Sequence, residues 1–302
     1  MSNSKSPEYL ETRSIGRLLA EFTMPAVLAT VISAVYNLIA RIFVGQMFGM
    51  TGIAALTISF PVMLIMLAFA MMIGTGGTTL LSIHLGEKRN DEAERVLGQS
   101  LFMYIFCAAV FMVFGLIWLD QLLLLFGASE EVLPLARDYM KVILWGVIFQ
   151  EIAFGVNNFI RAEGRPNVAV ISISIAVPIN FLLTWLFLFK LNWGIAGAGW
   201  AMVISQGFSS LWVCYYYLSG RTILRWRLKY FKPNFALMWK ICTFGTVPLV
   251  AQACSALLQG IQCNVLGYYG NLCGIKAGLT GIDGGDLAVG IMGTIFVICM
   301  LM

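Results

Sequence analysis

The stretch IAALTISFPVMLIMLAFAMMIGTGGTTLLSI, residues 53–83, runs for 31 residues without an Asp, Glu, Lys or Arg. A hydrocarbon layer about 30 Å thick is crossed by roughly 20 apolar residues in a helix that rises 1.5 Å per residue. The segment is long enough to cross with residues to spare. Its apolar positions do not alternate as a barrel strand would require, and an unpaired strand could not satisfy its backbone in lipid. It therefore reads as a helix in a membrane.

Seven more apolar runs flank it, at 24–44, 97–119, 142–160, 168–189, 195–218, 241–269 and 287–302. Of the 302 residues 60% are hydrophobic and 11% charged, with a mean hydropathy of +0.86, against about 25% charged residues in soluble domains. The fold class is all-α, a polytopic membrane helical bundle. Lys5, Glu8, Glu11, Arg13, Arg17 and Glu21 make the amino terminus long and mixed in charge, unlike a cleaved signal peptide, so the first helix is expected to be retained. The last run stops at Met302 with no polar tail, and the chain is expected to end inside or at the end of a helix.

Basic residues accumulate in short cytoplasmic loops. Of 19 Lys and Arg, 14 fall in the amino terminus and the second-to-third, fourth-to-fifth and sixth-to-seventh connections; Arg41, Arg137, Lys141, Lys190 and Lys276 fall on the other side. Eight spans with a cytoplasmic amino terminus, in the inner (plasma) membrane, fit this split. The net charge of +4 then reflects topology, with no nucleic-acid partner implied. The seven cysteines include no CxxC and His84 is the single histidine, so neither a disulfide framework nor a metal site is expected. Cys273 is placed in an outer loop.

The chain divides at a basic segment. Residues 1–220 are expected to form a six-helix transmembrane bundle, 221–240 a cytoplasmic basic linker, and 241–302 the start of a second bundle. PAVLA from Pro25 is echoed by PLVAQ from Pro248, and GIAAL from Gly52 by GDLAV from Gly285. Transporters are often built from such repeats, with the substrate path between the halves. The second half would then lack its last four helices.

Further residues carry a family resemblance. YNLIARIFVG from Tyr36 to Gly45, then GTGG from Gly74 to Gly77 leading into LGEKRN from Leu85 to Asn90, is similar to the first two helices of multidrug and toxic compound extrusion (MATE) transporters. NFIRAEGRP from Asn158 to Pro166, NFLL from Asn180, and GIAGA from Gly194 followed by Ser205 and Gln206 continue the match in order. The resemblance, nearest to the multidrug export proteins of the family, implies two six-helix bundles around a central cavity. It also implies exchange of organic cations or drugs for H+ or Na+, no other cofactor, and no catalytic activity. It implies an aspartate at the place of Ala40, another at Thr184, and commonly a threonine at Met202; this chain lacks all three.

The remaining polar residues of the spans define the expected substrate and cation pathway: Tyr36, Asn37, Arg41, Gln150, Glu151, Asn157, Asn180 and Thr184. On the fourth span Gln150, Phe154, Asn157 and Arg161 follow i, i+4, i+7, i+11 spacing, with Glu151, Gly155 and Asn158 on the adjoining face. Glu151 is the one acid deep in a span, and an intramembrane acid is a functional candidate. Two readings stay open: it carries protons, or it pairs with a base such as Arg41 and locks two helices together. Ser33, Asn37 and Arg41 align on the first helix; Asn180 and Thr184 lie one turn apart beside Pro178, where a kink is expected. Trp145, Phe149, Phe154, Trp185, Met63 and Met66 either line a cavity for flat cations or face lipid. The glycines of 74–77 read as close helix packing, since no Gly-Lys-Ser/Thr follows them as in a phosphate loop.

A drug or cation antiporter acting as a monomer in the lipid bilayer is the function expected. A lipid-linked-oligosaccharide flippase of the same superfamily is the alternative and calls for several basic residues inside the first bundle. An enzyme is not expected: the chain has no HExxH, no Ser/His/acid set and no paired acids in the spans.

Overall fold

The structure, a computed structural model, describes residues 15–164, 166–219, 233–277 and 284–299. Side chains are not described at 15–26, 28–37, 166–167, 173, 218, 274–277 and 297–299. Within these limits every regular element is helical. α1 is Ile15–Gly86, α2 Asn90–Ile117, α3 Leu119–Leu125, α4 Val132–Trp145 and α5 Val147–Ala162; α6 is Pro166–Trp185, continued by a π turn over Leu186–Lys190. α7 is Ile195–Leu218, α8 Phe235–Phe244, α9 Thr246–Ala277 and α10 Gly284–Cys299.

The first two expected spans are the limbs of α1, which bends at Gly49. That residue has φ 63° and ψ −150°, a conformation that costs a residue with a Cβ but is open to glycine. The break lets the chain reverse with no intervening loop. By length and apolar composition Leu38–Gly86, α2, Val168–Lys190 and Thr246–Cys273 can each cross a membrane, and α4 with α5, bent by 58°, can make a fifth span. α10, 16 residues long as described, and α7, with Ser205, Gln206, Ser209 and Ser210 in its middle, are shorter or more polar.

Three expectations about span limits are corrected. The fourth span begins at Val132, ten residues before the expected Val142, so Arg137 and Lys141 lie in a helix. Its charges depress the hydropathy that would reveal it, and the structure accommodates one of them by pairing. Arg137 donates from Nε to Asp120 Oδ1 and from a terminal nitrogen to Oδ2, each at 2.6 Å, the two-point geometry that guanidinium and carboxylate favour. The seventh span is two helices, α8 and α9, broken at Gly245. Cys273 lies in α9 and not in a loop; it and the other five cysteines with described side chains are unpaired. Pro178 lies inside α6, which runs on past it into the π turn.

α1 is the hub, packing against α2, α4, α5, α6, α8, α9 and α10. The buried apolar side chains form two layers. One gathers Ile58, Met66, Leu123, Met140, Ile143 and Leu144; the other gathers Ile73, Leu81, Leu97, Tyr104, Phe159, Tyr217 and Ile241. In lipid, burial from water does not drive helices together, so close packing and interhelical hydrogen bonds must. The glycines at 74–77 supply the closeness expected of them: a methyl group at Gly74 would lie 2.8 Å from Asn158 Nδ2, at Gly77 2.6 Å from Phe159 Cζ, and at Gly76 1.9 Å from the Ile241 carbonyl oxygen.

The expected linker at 221–240 lies largely outside the described residues. At its described end Asn234 caps α8 by accepting from the Leu237 amide at 3.3 Å, and its own amide donates to Gln99 Oε1 at 2.6 Å. Across the molecule, Ser129 donates to Asp286 Oδ2 at 2.8 Å and Asn264 Nδ2 donates to the Leu125 carbonyl at 2.8 Å. These bonds tie the α3 to α4 connection to α9 and α10.

Candidate functional site

Three of the expected pathway residues meet in one cavity of about 60 Å³. It is lined by Ala40, Arg41 and Val44 of the first limb of α1, Leu56, Phe60 and Met63 of the second, Tyr139 of α4, Asn180 and Thr184 of α6, and Ala198 and Met202 of α7. Ala40, Thr184 and Met202, where the sequence departs from the resemblance, therefore share a single space. Thr184 Oγ1 donates to Asn180 Oδ1 at 3.1 Å, Asn180 Nδ2 to Ser205 Oγ at 3.3 Å, and Ser205 Oγ to the Met202 carbonyl at 2.8 Å. This chain fixes the amide and both hydroxyls between α6 and α7.

Arg41 is buried at 8% exposure. Its terminal nitrogen donates to Thr57 Oγ1 at 2.9 Å, and Thr57 in turn donates to the Ile53 carbonyl at 2.8 Å. The guanidinium thus bridges the two limbs of α1. Thr57 is not among the expected residues; a threonine four residues after Ile53 reads as ordinary helix content, and only the fold at Gly49 brings it opposite Arg41.

Glu151 stands elsewhere, in α5, with 1% of its surface exposed. Neither carboxylate oxygen has a hydrogen-bond partner among the described residues, and no ion pair with Arg41 forms, which removes the interhelical-lock reading in that form. Its surroundings are set by Tyr104 of α2, whose ring occupies the space left by Gly155: a methyl group there would lie 2.1 Å from Tyr104 Cζ. The Tyr104 hydroxyl points instead to the Ala70 carbonyl, at 3.4 Å.

The polar face drawn along α5 is only partly one environment. Gln150 and Asn157 are buried while Phe154 and Arg161 are exposed. Asn157 Nδ2 donates to the Ala153 carbonyl at 2.6 Å and Asn157 Oδ1 accepts from Ser172 Oγ at 2.9 Å, tying α5 to α6. Gln150 lines neither this cavity nor the next. Tyr36 and Asn37 lie in α1, but their side chains are outside those described. Trp145, Phe149, Phe154 and Trp185 are exposed and line neither cavity; Met63 lines the first, and Met66 is in the core.

A second cavity of about 680 Å³ opens between the far end of α1 and the end of α5. Met71, Thr75, Thr78, Thr79, Ser82, Ile83, Asn158, Arg161 and Ala162 line it. Pockets for drug-sized molecules run from about 300 to 1,000 Å³, so this space alone of the two admits one. The signal is present in the sequence: Thr75, Thr78, Thr79 and Ser82 fall at i, i+3, i+4 and i+7, a hydroxyl stripe on one helix face.

The comparisons with known proteins agree with this architecture. The chain is 27% identical over 264 residues to the multidrug export protein MepA of Staphylococcus haemolyticus, a match covering 87% of this chain and 58% of that protein. With MepA of Staphylococcus aureus (strain MRSA252) it shares 24% over 273 residues, covering 90% and 60%. The structure of the MATE multidrug transporter DinF-BH, solved in complex with a ligand, matches with a TM-score of 0.86 at 31% identity, over 96% of this chain and 62% of that one. An inward-facing MATE transporter matches in fold, with a TM-score of 0.80 at 23% identity over 94% and 61%. The chain thus spans about 60% of the length of the relatives it matches. The MatE family model covers residues 25–186, just over half of the chain, and takes in the Gly49 bend, Arg41 and Glu151: the protein belongs to the MatE family.

Proposed function

We propose that this chain takes part in multidrug efflux, exporting small organic cations or drugs across the inner membrane in exchange for H+ or Na+, as a monomer with a cytoplasmic amino terminus. The observation that carries the reading is the open 680 Å³ cavity, of drug-like volume, in which four hydroxyl residues, Asn158 and Arg161 stand beside Met71, Ile83 and Ala162. Curated relatives that are multidrug export proteins, and a solved neighbour holding a ligand, support the same class. In this reading the coupling group is Glu151. Proton exchange needs a group that takes up and releases a proton, and Ala40, Thr184 and Met202 offer none. A buried acid whose oxygens bond no described residue is costly in the membrane and is a functional candidate there. Asn157 and Asn180 hold α5, α6 and α7 in register. A flippase of lipid-linked oligosaccharide finds less support: among the described residues lining the two cavities, Arg41 and Arg161 are the basic ones.

The test is efflux of a flat cationic dye such as ethidium from cells stripped of their own exporters, expressing the protein with the further helices that its longer relatives possess. Ser82→Trp is the variant that fills the larger cavity. Export that is lost in Ser82→Trp while the folded amount is retained is expected. Export unchanged by the bulky residue would contradict the assignment of that cavity.

A further inference from the structure

We propose that the small cavity beside Arg41 is a binding site for a small monovalent anion such as chloride. Arg41 carries a full positive charge at nine-tenths burial, and a buried charge persists only when something compensates it. No described carboxylate supplies that. The electrostatic neighbours of Arg41 are the Tyr139 phenol and the Cys263 thiol, and its one hydrogen-bond partner among the described residues is the Thr57 hydroxyl. A guanidinium has five N–H donors, and one bond to Thr57 leaves most of them without a partner among the described residues.

The cavity is of a size for a small anion. About 60 Å³ is room for roughly four waters. A halide with its residual hydration fits, as does a formate, while a drug-sized molecule does not. The polar residues of its lining are Arg41, Tyr139, Asn180 and Thr184; Tyr139 donates to Met202 Sδ, Thr184 to Asn180 and Asn180 to Ser205, so Arg41 is the principal donor for an anion, with no acid among the described lining residues to repel it. Ala40 and Met202 close it with apolar surface, which strengthens a charge pair by excluding water. Gly293 of α10 packs against the Arg41–Thr57 bond: a methyl group on it would lie 2.0 Å from Thr57 Oγ1 and 2.6 Å from an Arg41 terminal nitrogen. An anion held by Arg41 would therefore stabilise the arrangement in which α10 lies against α1. The inference concerns this cavity alone and does not depend on which compound is exported.

Binding of radioactive chloride to the purified 302-residue chain, by scintillation proximity in chloride-free gluconate buffer, tests this. Saturable binding near one ion per chain is expected, competed by formate. In Arg41→Gln the affinity should fall at least about tenfold. Ala40→Asp, which sets a carboxylate next to Arg41 within the same cavity, should do likewise by supplying the negative charge internally. Because loss of the Arg41 bridge can itself prevent folding, Ala40→Asp and the unaltered chain decide the matter. Absence of saturable binding to the unaltered chain overturns the proposal, and so does equal affinity in a folded Ala40→Asp protein.

Discussion

Gly76 in the second limb of α1 and Gly245 at the break between α8 and α9 bring two helix backbones into contact. A methyl group on Gly76 would lie 1.9 Å from the Ile241 carbonyl oxygen, and one on Gly245 1.9 Å from that of Met72. In both cases the obstacle is backbone, which cannot turn aside as a side chain tip can. This crossing joins the helices before and after the basic segment, where apolar burial alone supplies little force in lipid.

Gly76→Ala and Gly245→Ala are each expected to destabilise the protein by about 1–3 kcal/mol, the cost of forcing extra volume into a packed contact. Thermal unfolding in detergent measures it. Gly267→Ala in α9, where a methyl group meets nothing within 4 Å, should stay within about 0.5 kcal/mol. Equal effects at all three positions would show that the crossing is not tight.

The Arg137 to Asp120 pair should contribute about 1 kcal/mol at low salt. Both side chains are more than a third exposed, so solvent screening keeps a two-point pair near the upper end of surface values. A double-mutant cycle with Arg137→Ala and Asp120→Ala, repeated at high salt, should show the coupling shrink. A coupling unchanged by salt would mean that the pair is shielded from water.

Much of the fold was legible because hydropathy reports directly on the lipid. The sixth run, 195–218, coincides with α7, and the glycines of 74–77 pack as their surroundings suggested. Hydropathy failed where charge interrupts a helix that remains helical: Arg137, Asp138 and Lys141 hid the first half of α4. It also carries no information on breaks that need a single residue, such as Gly49 or Gly245. For the site, family spacing singled out Ala40, Thr184 and Met202, and the structure places them in one cavity. Thr57, the partner of Arg41, was invisible because its role depends on the fold of α1 upon itself. The hydroxyl stripe from Thr75 to Ser82 was readable, but its cavity depends on where α5 ends, and the stripe by itself fits ordinary helix packing equally well.

The proposed topology rests on the basic residues, 14 of 19 of which are assigned to one side. In a background without native cysteines, a cysteine at Ser219 should resist an impermeant maleimide applied to intact cells. One at Asn192, exposed after the π turn, should react. The reverse pattern would invert the chain in the membrane.

Glu151 is the point on which the account of coupling rests, and one measurement reaches it most directly: drug uptake into everted vesicles energised by a proton gradient, in a protein carrying the further helices that the longer relatives possess. Glu151→Gln keeps the size of the side chain and removes its ability to exchange a proton. Because neither oxygen of Glu151 bonds a described neighbour, folded protein should be recovered in normal amount, and gradient-driven uptake should fall to the level of vesicles without the protein. Uptake at the normal rate in Glu151→Gln would contradict the account and place coupling elsewhere.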